Sequence, residues 1–159
     1  MATYAEQMQN IFRQYQDACG EPLAGARDVA AWAIKNGLWR PKPADIIAQC
    51  AEDLSRALRE EYHTDKKGRR VRSKHAVRRL SPSGKQYTLW ADMRTAPRAH
   101  MELAFAQRRQ QIVGDCVQLK RDVDSYNESA AHQPPIQLVL NFTEDAAEAD
   151  IGDGFSDVA

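Results

Sequence analysis

The hydrophobic period of this sequence changes twice along its length, and those two changes constrain the fold more than any other feature. Tyr4, Met8, Ile11, Phe12 and Tyr15 lie on one face of a helix, which predicts an amphipathic helix from about Thr3 to Ala18. Cys19-Gly20-Glu21-Pro22 ends it, because Gly20 suits the left-handed cap position and Pro22 cannot continue a helix. A second helix is expected from about Ala26 to Asn36, with Val29, Ala30, Trp32 and Ala33 pointing inward. Gly37 closes it, and Leu38-Trp39 form an apolar plug before Pro41. Pro43, having no N–H to lose in a first turn, opens a third helix. There Ile46, Ile47, Cys50, Leu54, Ala57, Leu58 and Tyr62 keep the helical period. Trp32 and Trp39 are expected to be buried against the first and third helices, since large aromatics supply much of a small core.

The helical period is lost at about Tyr62 and returns at Pro97. Thr64-Asp65-Lys66-Lys67-Gly68 reads as a turn, with Gly68 supplying a positive φ. Val71, His75 and Val77 alternate loosely, Ser81-Pro82-Ser83-Gly84 is a second turn, and Gln86 to Trp90 is rich in strand formers. Two or three short antiparallel strands are expected from about Tyr62 to Met93. Pro97 then opens a long helix to about Ser129, in which Phe105, Ile112, Cys116, Leu119, Val123 and Tyr126 approach a 3.5-residue repeat, broken at Arg109. Barely three heptads leave two readings open: a homodimer through the 97–129 helix, or packing back on its own domain. His132-Gln133-Pro134-Pro135 ends this helix as a stiff spacer, and Ile136 to Phe142 form a short apolar island. The acidic remainder is expected to be unstructured for want of apolar surface to bury. The fold class is thus mainly α with a small β-hairpin sheet. The expected divisions are a three-helix and hairpin domain (1–94), a long helix (95–131), and a Pro-led linker with apolar motif and acidic tail (132–159).

A net charge of zero conceals a strong asymmetry. Lys66 to Ala91 holds nine Lys and Arg with no acid, whereas Thr143 to Ala159 holds six acids with no Lys or Arg. A hairpin can lie along a groove while ammonium and guanidinium groups neutralise phosphates and release counterions. That makes Lys66, Lys67, Arg69, Arg70, Arg72, Lys74, Arg78, Arg79 and Lys85 candidate nucleic-acid contacts; the bland alternative is a solvated charged face. The third helix would meet phosphates badly, since it offers Asp45, Glu52, Asp53, Glu60 and Glu61 against Arg56 and Arg59. Three helices followed by a basic hairpin is the element order of a winged helix.

The Gly20-Glu21-Pro22-Leu23 break, the helix end Asn36-Gly37-Leu38-Trp39, and Pro43 before the third helix resemble the HARE-HTH winged-helix family, over about the first ninety residues. The resemblance implies a winged helix-turn-helix fold and a DNA- or polymerase-associated role. The delta subunit of bacterial RNA polymerase pairs such a domain with an acidic tail, so RNA polymerase is an expected partner. A second resemblance lies in Gln137-Leu138-Val139-Leu140-Asn141-Phe142, where Gln137, Leu138, Leu140 and Phe142 match the six-residue motif that binds the bacterial sliding clamp. The competing reading is a strand or plug that covers an apolar patch of its own domain.

No Gly-rich phosphate loop, G-x-S-x-G or HExxH is present, and the expectation is a non-enzyme with no cofactor and no bound metal. Ser73 and His75 fall inside the basic hairpin, where a phosphate contact or an exposed position is expected, and His63, His100 and His132 show no partner. Asp45, Glu52 and Asp53 read as solvated helix acids. Cys19, Cys50 and Cys116 occupy apolar helical positions, where burial is the default. Their odd number and wide spacing fit a reducing cytoplasm. No apolar run approaches the roughly 20 residues that cross a bilayer, and the opening Met1 to Glu6 does not read as a secretory signal. The sequence thus points to a DNA-binding (or RNA-binding) accessory protein that recruits a replication or transcription partner. The alternative is an interaction subunit of a larger complex that binds no free DNA.

Overall fold

A computed structural model describes residues 1–20, 22–130 and 133–156, so Glu21 of the first turn and His132 of the spacer lie outside the described residues. The chain is mainly α with small β-hairpins. Its elements are α1 (Tyr4–Cys19), α2 (Ala26–Lys35), α3 (Pro43–Arg59), β1 (Tyr62–Thr64), β2 (Arg70–Arg72), β3 (Lys74–Leu80), β4 (Gln86–Asp92), α4 (Arg98–Ser129) and α5 (Thr143–Ser156). They divide into two units, Met1–Glu60 and Glu61–Ala159.

In the first unit Thr3 caps α1: its hydroxyl accepts from the Glu6 N–H while the Glu6 carboxylate accepts from the Thr3 N–H. Gly20 ends the helix in the left-handed conformation at φ 70°, its N–H bonded to the Gln16 carbonyl. The core is Ile11, Val29 and Ala33, with Tyr15, Ala24, Trp32 and Trp39 packed around it. Tyr15 meets Trp32 edge-on, ring centres 5.7 Å apart. The Trp39 indole N–H donates to the Tyr4 hydroxyl at 3.0 Å. Both tryptophans pack on this core, but only half-buried, which corrects the expectation of full burial. The reason is α3. Lys42 is extended before Pro43, the Lys42 N–H donates to Asp45, and the helix begins as the sequence predicts, yet it buries no residue at all. Ile46, Ile47 and Leu54 remain exposed. Cys50 is exposed with them, as is Cys19, and Cys116 is half-buried, so the expected burial of the cysteines does not hold.

The second unit has four short strands rather than two or three. β1 pairs antiparallel with β2, and β3 with β4. β2 and β3 are nearly one strand, broken at Ser73, whose N–H donates to the Glu61 carbonyl and whose carbonyl accepts from the Met93 N–H. The chain therefore swaps one partner strand for the other at this residue. The inner face of β3 carries His75 and Val77, the latter 0% exposed, against α4. Phe105 of α4 meets the His75 ring edge-on at 5.2 Å. Gln107 fastens the strand further on: its amide donates to the Arg78 carbonyl and accepts from the Arg78 N–H, at 2.9 and 2.8 Å.

Beyond β3, α4 is open. Ala104 is its single buried residue, and Ile112, Leu119 and Tyr126 of the 3.5-residue repeat are exposed. Near its end the Asn127 side chain takes both backbone groups of Ile136. Ile136, Leu138 and Leu140 then line a small cavity of about 90 Å³ with Lys120, Val123 and Asp124 of α4. The acidic tail is not unstructured: α5 runs from Thr143 to Ser156. Burial was the wrong criterion there. Glu144 and Asp145 sit in the first turn, where the helix dipole favours them, and Ala146, Ala147 and Ala149 have the highest helix propensity, so local terms favour this helix.

Candidate nucleic-acid interface

The nine candidate cations fall into groups that the sequence does not distinguish. The β1–β2 turn is built on Asp65, whose carboxylate accepts from the Lys67 and Arg69 N–H groups at 2.9 Å and from the Arg69 guanidinium at 2.7 Å. Those donors hold the Asp65 carboxyl below its ordinary range, the Arg69 backbone N–H first among them. Gly68, at φ 80°, lets the chain close this turn. Arg69 is thus a turn fastener. Lys74 has the same kind of duty, ion-paired with Asp92 at 2.9 Å and Glu61 at 3.7 Å. Asp92 is held far below the ordinary carboxylate range, first by the Arg94 side chain and backbone and then by Lys74. The sequence did carry this signal: Asp65 and Asp92 stand immediately outside the acid-free run, and Glu61 is a few residues before it.

Arg70 is the third case, its guanidinium 4.3 Å above the ring centre of Tyr62. Such stacking pre-orients a guanidinium without neutralising it. Lys66, Lys67, Arg72, Arg78, Arg79 and Lys85 make no ion pair among the described residues. Lys66 and Lys67 occupy the β1–β2 turn and Lys85 the β3–β4 turn. Adjacent strand residues point to opposite faces, so Arg78 shares a side with Lys74 and Ala76, and Arg79 with His75 and Val77. Arg79 lies opposite the exposed Tyr87 in the register. An exposed tyrosine therefore stands beside a cation in each hairpin, Tyr62 with Arg70 and Tyr87 with Arg79.

Ser73 and His75 are neither phosphate contacts nor exposed, being 1% and 8% exposed. The Ser73 hydroxyl bonds His63 Nδ1 at 2.8 Å, and His75 Nε2–H donates to the Arg72 carbonyl at 2.9 Å. His100 Nε2–H donates to the His75 carbonyl at 2.9 Å. His63 and His100 thus have partners that the sequence did not reveal, and all four residues stiffen the junction between the hairpins. Burial lowers the His75 pKa, and the neighbouring Arg108, Arg72 and His100 push it the same way.

Asp45 caps α3, and Asp53 takes Gln49 and Arg56 on the helix surface. Among the described residues no three His, Cys, Asp or Glu side chains are gathered to hold a metal ion, and no helix is long and apolar enough to cross a membrane. Of the apolar motif, Leu138 and Leu140 line the cavity on α4, Leu140 half-buried and Leu138 still exposed, while Gln137 and Phe142 are exposed. Comparison of the chain with known family models, curated proteins and solved structures returns no match.

Proposed function

We propose that this protein is a non-enzymatic accessory factor of a reducing cytoplasm that binds DNA through its two basic hairpins. The observation that supports this most is a set of seven hairpin cations without a carboxylate partner among the described residues: Lys66, Lys67, Arg70, Arg72, Arg78, Arg79 and Lys85. Lys66, Lys67, Arg78, Arg79 and Lys85 are exposed and able to neutralise phosphates, Arg70 is stacked on Tyr62 and Arg72 is half-buried, while the Ser73 junction fixes the strands that carry them. The exposed Tyr87 adds a ring face on which an unpaired base would stack. Arg69 and Lys74 are withdrawn from the contact set, because both are committed to carboxylates. Binding of random-sequence duplex should weaken steeply as salt is raised, since each phosphate contact contributes about 0.9 to the slope of log K against log salt. Salt-insensitive binding, or none at low salt, would leave the second reading: an interaction subunit that binds no free DNA. The exposed Ile46, Ile47 and Leu54 of α3 favour that alternative.

Recruitment of a replication or transcription partner through the apolar segment is a competing reading. A sliding clamp would read Gln137, Leu138, Leu140 and Phe142, and Leu138 and Leu140 would first have to leave α4. The anchoring of Ile136 by Asn127 favours a different role, a strap that covers the end of α4, and we adopt that role for the segment.

A further inference from the structure

The first unit holds two unsatisfied apolar surfaces of complementary form. One is a groove of about 390 Å³ between α1 and α2, lined among others by Met8, Phe12, Val29, Ala30 and Ile34. The other is the apolar face of α3, where Ile46, Ile47 and Leu54 are 67%, 78% and 57% exposed. These residues recur at the spacing of a single helical stripe, which is the form of a helix that fits a groove.

We propose that α3 of one copy of this chain occupies the α1–α2 groove of a second copy, reciprocally, as a symmetric dimer. Two observations argue for a second copy over the chain's own helix. Trp39 lines the groove and also lines a second cavity, of about 430 Å³, with Pro41, Ile46 and Cys50. It therefore stands between the groove and the first turns of α3, held there by its hydrogen bond to Tyr4. The connection is also short and stiff. Arg40-Pro41-Lys42-Pro43 carries two prolines, Lys42 is extended at φ −105° and ψ 149°, and α3 begins at once. A tether of this kind directs the helix past Trp39 and away from its own groove, the situation in which identical elements exchange between protomers.

The area is sufficient. A helix of 17 residues is about 26 Å long and offers a contact strip about 10 Å wide. Two such contacts, counted on both partners, bury on the order of 1,000 Å², where specific interfaces begin. Reciprocity closes the assembly, because each copy supplies one helix and one groove and neither surface is left over.

Sedimentation of the full chain over a range of micromolar concentrations tests this, with two single variants, Ile47→Asp on α3 and Met8→Asp in the groove. Circular dichroism should show both variants folded, Ile47 being exposed and Met8 at the groove mouth. The wild type should form dimers, and each variant alone should associate at least about tenfold more weakly, since either sets a charge where an apolar side chain would be buried. An equimolar mixture of the two should associate more tightly than either variant alone, because it restores one contact in which an intact helix meets an intact groove. A wild type that stays monomeric throughout overturns the proposal, and if Ile47→Asp then lowers the melting point, α3 closes on its own groove instead. Dimers that persist in both variants also overturn it, placing the contact elsewhere, as along α4.

Discussion

The two halves of this protein handle their surfaces in opposite ways. In the first unit the polar groups are routine and the apolar ones are left over: three residues form the core, while a groove and a whole helix face stay open. In the second unit the apolar groups are modest and the polar ones decide the structure. Ser73, Gln107, Asp65 and Asp92 each fasten backbone or cations, and among the described residues seven hairpin cations are left over. What remains unsatisfied in a fold marks what it is built to meet. On the proposed reading the first surface meets another protein surface, and the second meets phosphate.

The comparison breaks most sharply at Val77. Val77→Asp should destabilise the second unit by about 3–5 kcal/mol, because an unpaired charge would be sealed under α4. Denaturant titration should then show that unit unfolded or nearly so; a midpoint close to wild type would mean that α4 does not cover the strand. The matching change in the first unit, Trp39→Ala, should cost about 2 kcal/mol, less than a fully buried tryptophan would, because Trp39 is half-buried. A loss of about 4 kcal/mol or more would show that α3 covers Trp39 in solution.

A smaller effect concerns the strap. Changing Leu140 and Phe142 together to Ala should lower the melting point by a few degrees, corresponding to about 1–2 kcal/mol. The wild-type protein should not be captured by purified sliding clamp. Unchanged melting together with wild-type capture would make the segment a recruitment peptide after all.

The smallest effect is a pH dependence. His75 has a lowered pKa, so below about pH 6.5 the unfolded chain takes up a proton there that the native chain refuses. The stability it contributes is therefore present above about pH 6.5 and is lost as the pH falls through the range just below. His75→Gln should flatten this window in thermal melts. The decline attached to Asp65 and Asp92, both with lowered pKa, should persist below about pH 4. An unaltered slope between about pH 6.5 and about pH 5 in the variant would assign the dependence to another histidine.

Helix positions, turn positions and the long C-terminal helix were legible because each has a local cause: Gly20 and Gly68 at positive φ, Pro43 in a first turn, and a regular apolar period. Burial was not legible. The apolar stripe of α3 reads as core from its spacing, but spacing names a face and not what covers it. The roles of Ser73, His63 and Gln107 depend on residues far off in sequence, and single-residue reading cannot pair them. The acid-free run was visible, but its ends matter as much as its interior, since Asp65 and Asp92 stand directly beside it and claim two of its cations. The tail misleads for the opposite reason: α5 is favoured by local propensity, which the absence of a core does not forbid.

The central claim is that the hairpin cations left unpaired, and not those committed to carboxylates, make the nucleic-acid surface. Duplex binding measured across a salt series would compare the wild type with two variants. One changes Lys66, Lys67, Arg78 and Arg79 to Ala; the other changes Lys74 alone to Ala. The first should bind unrelated sequences equally more weakly, with the slope of log K against log salt reduced by about 0.9 for each phosphate no longer neutralised. The second should keep the wild-type slope. A fourfold variant with unchanged affinity and slope, or a Lys74→Ala slope reduced by about 0.9, would contradict the account.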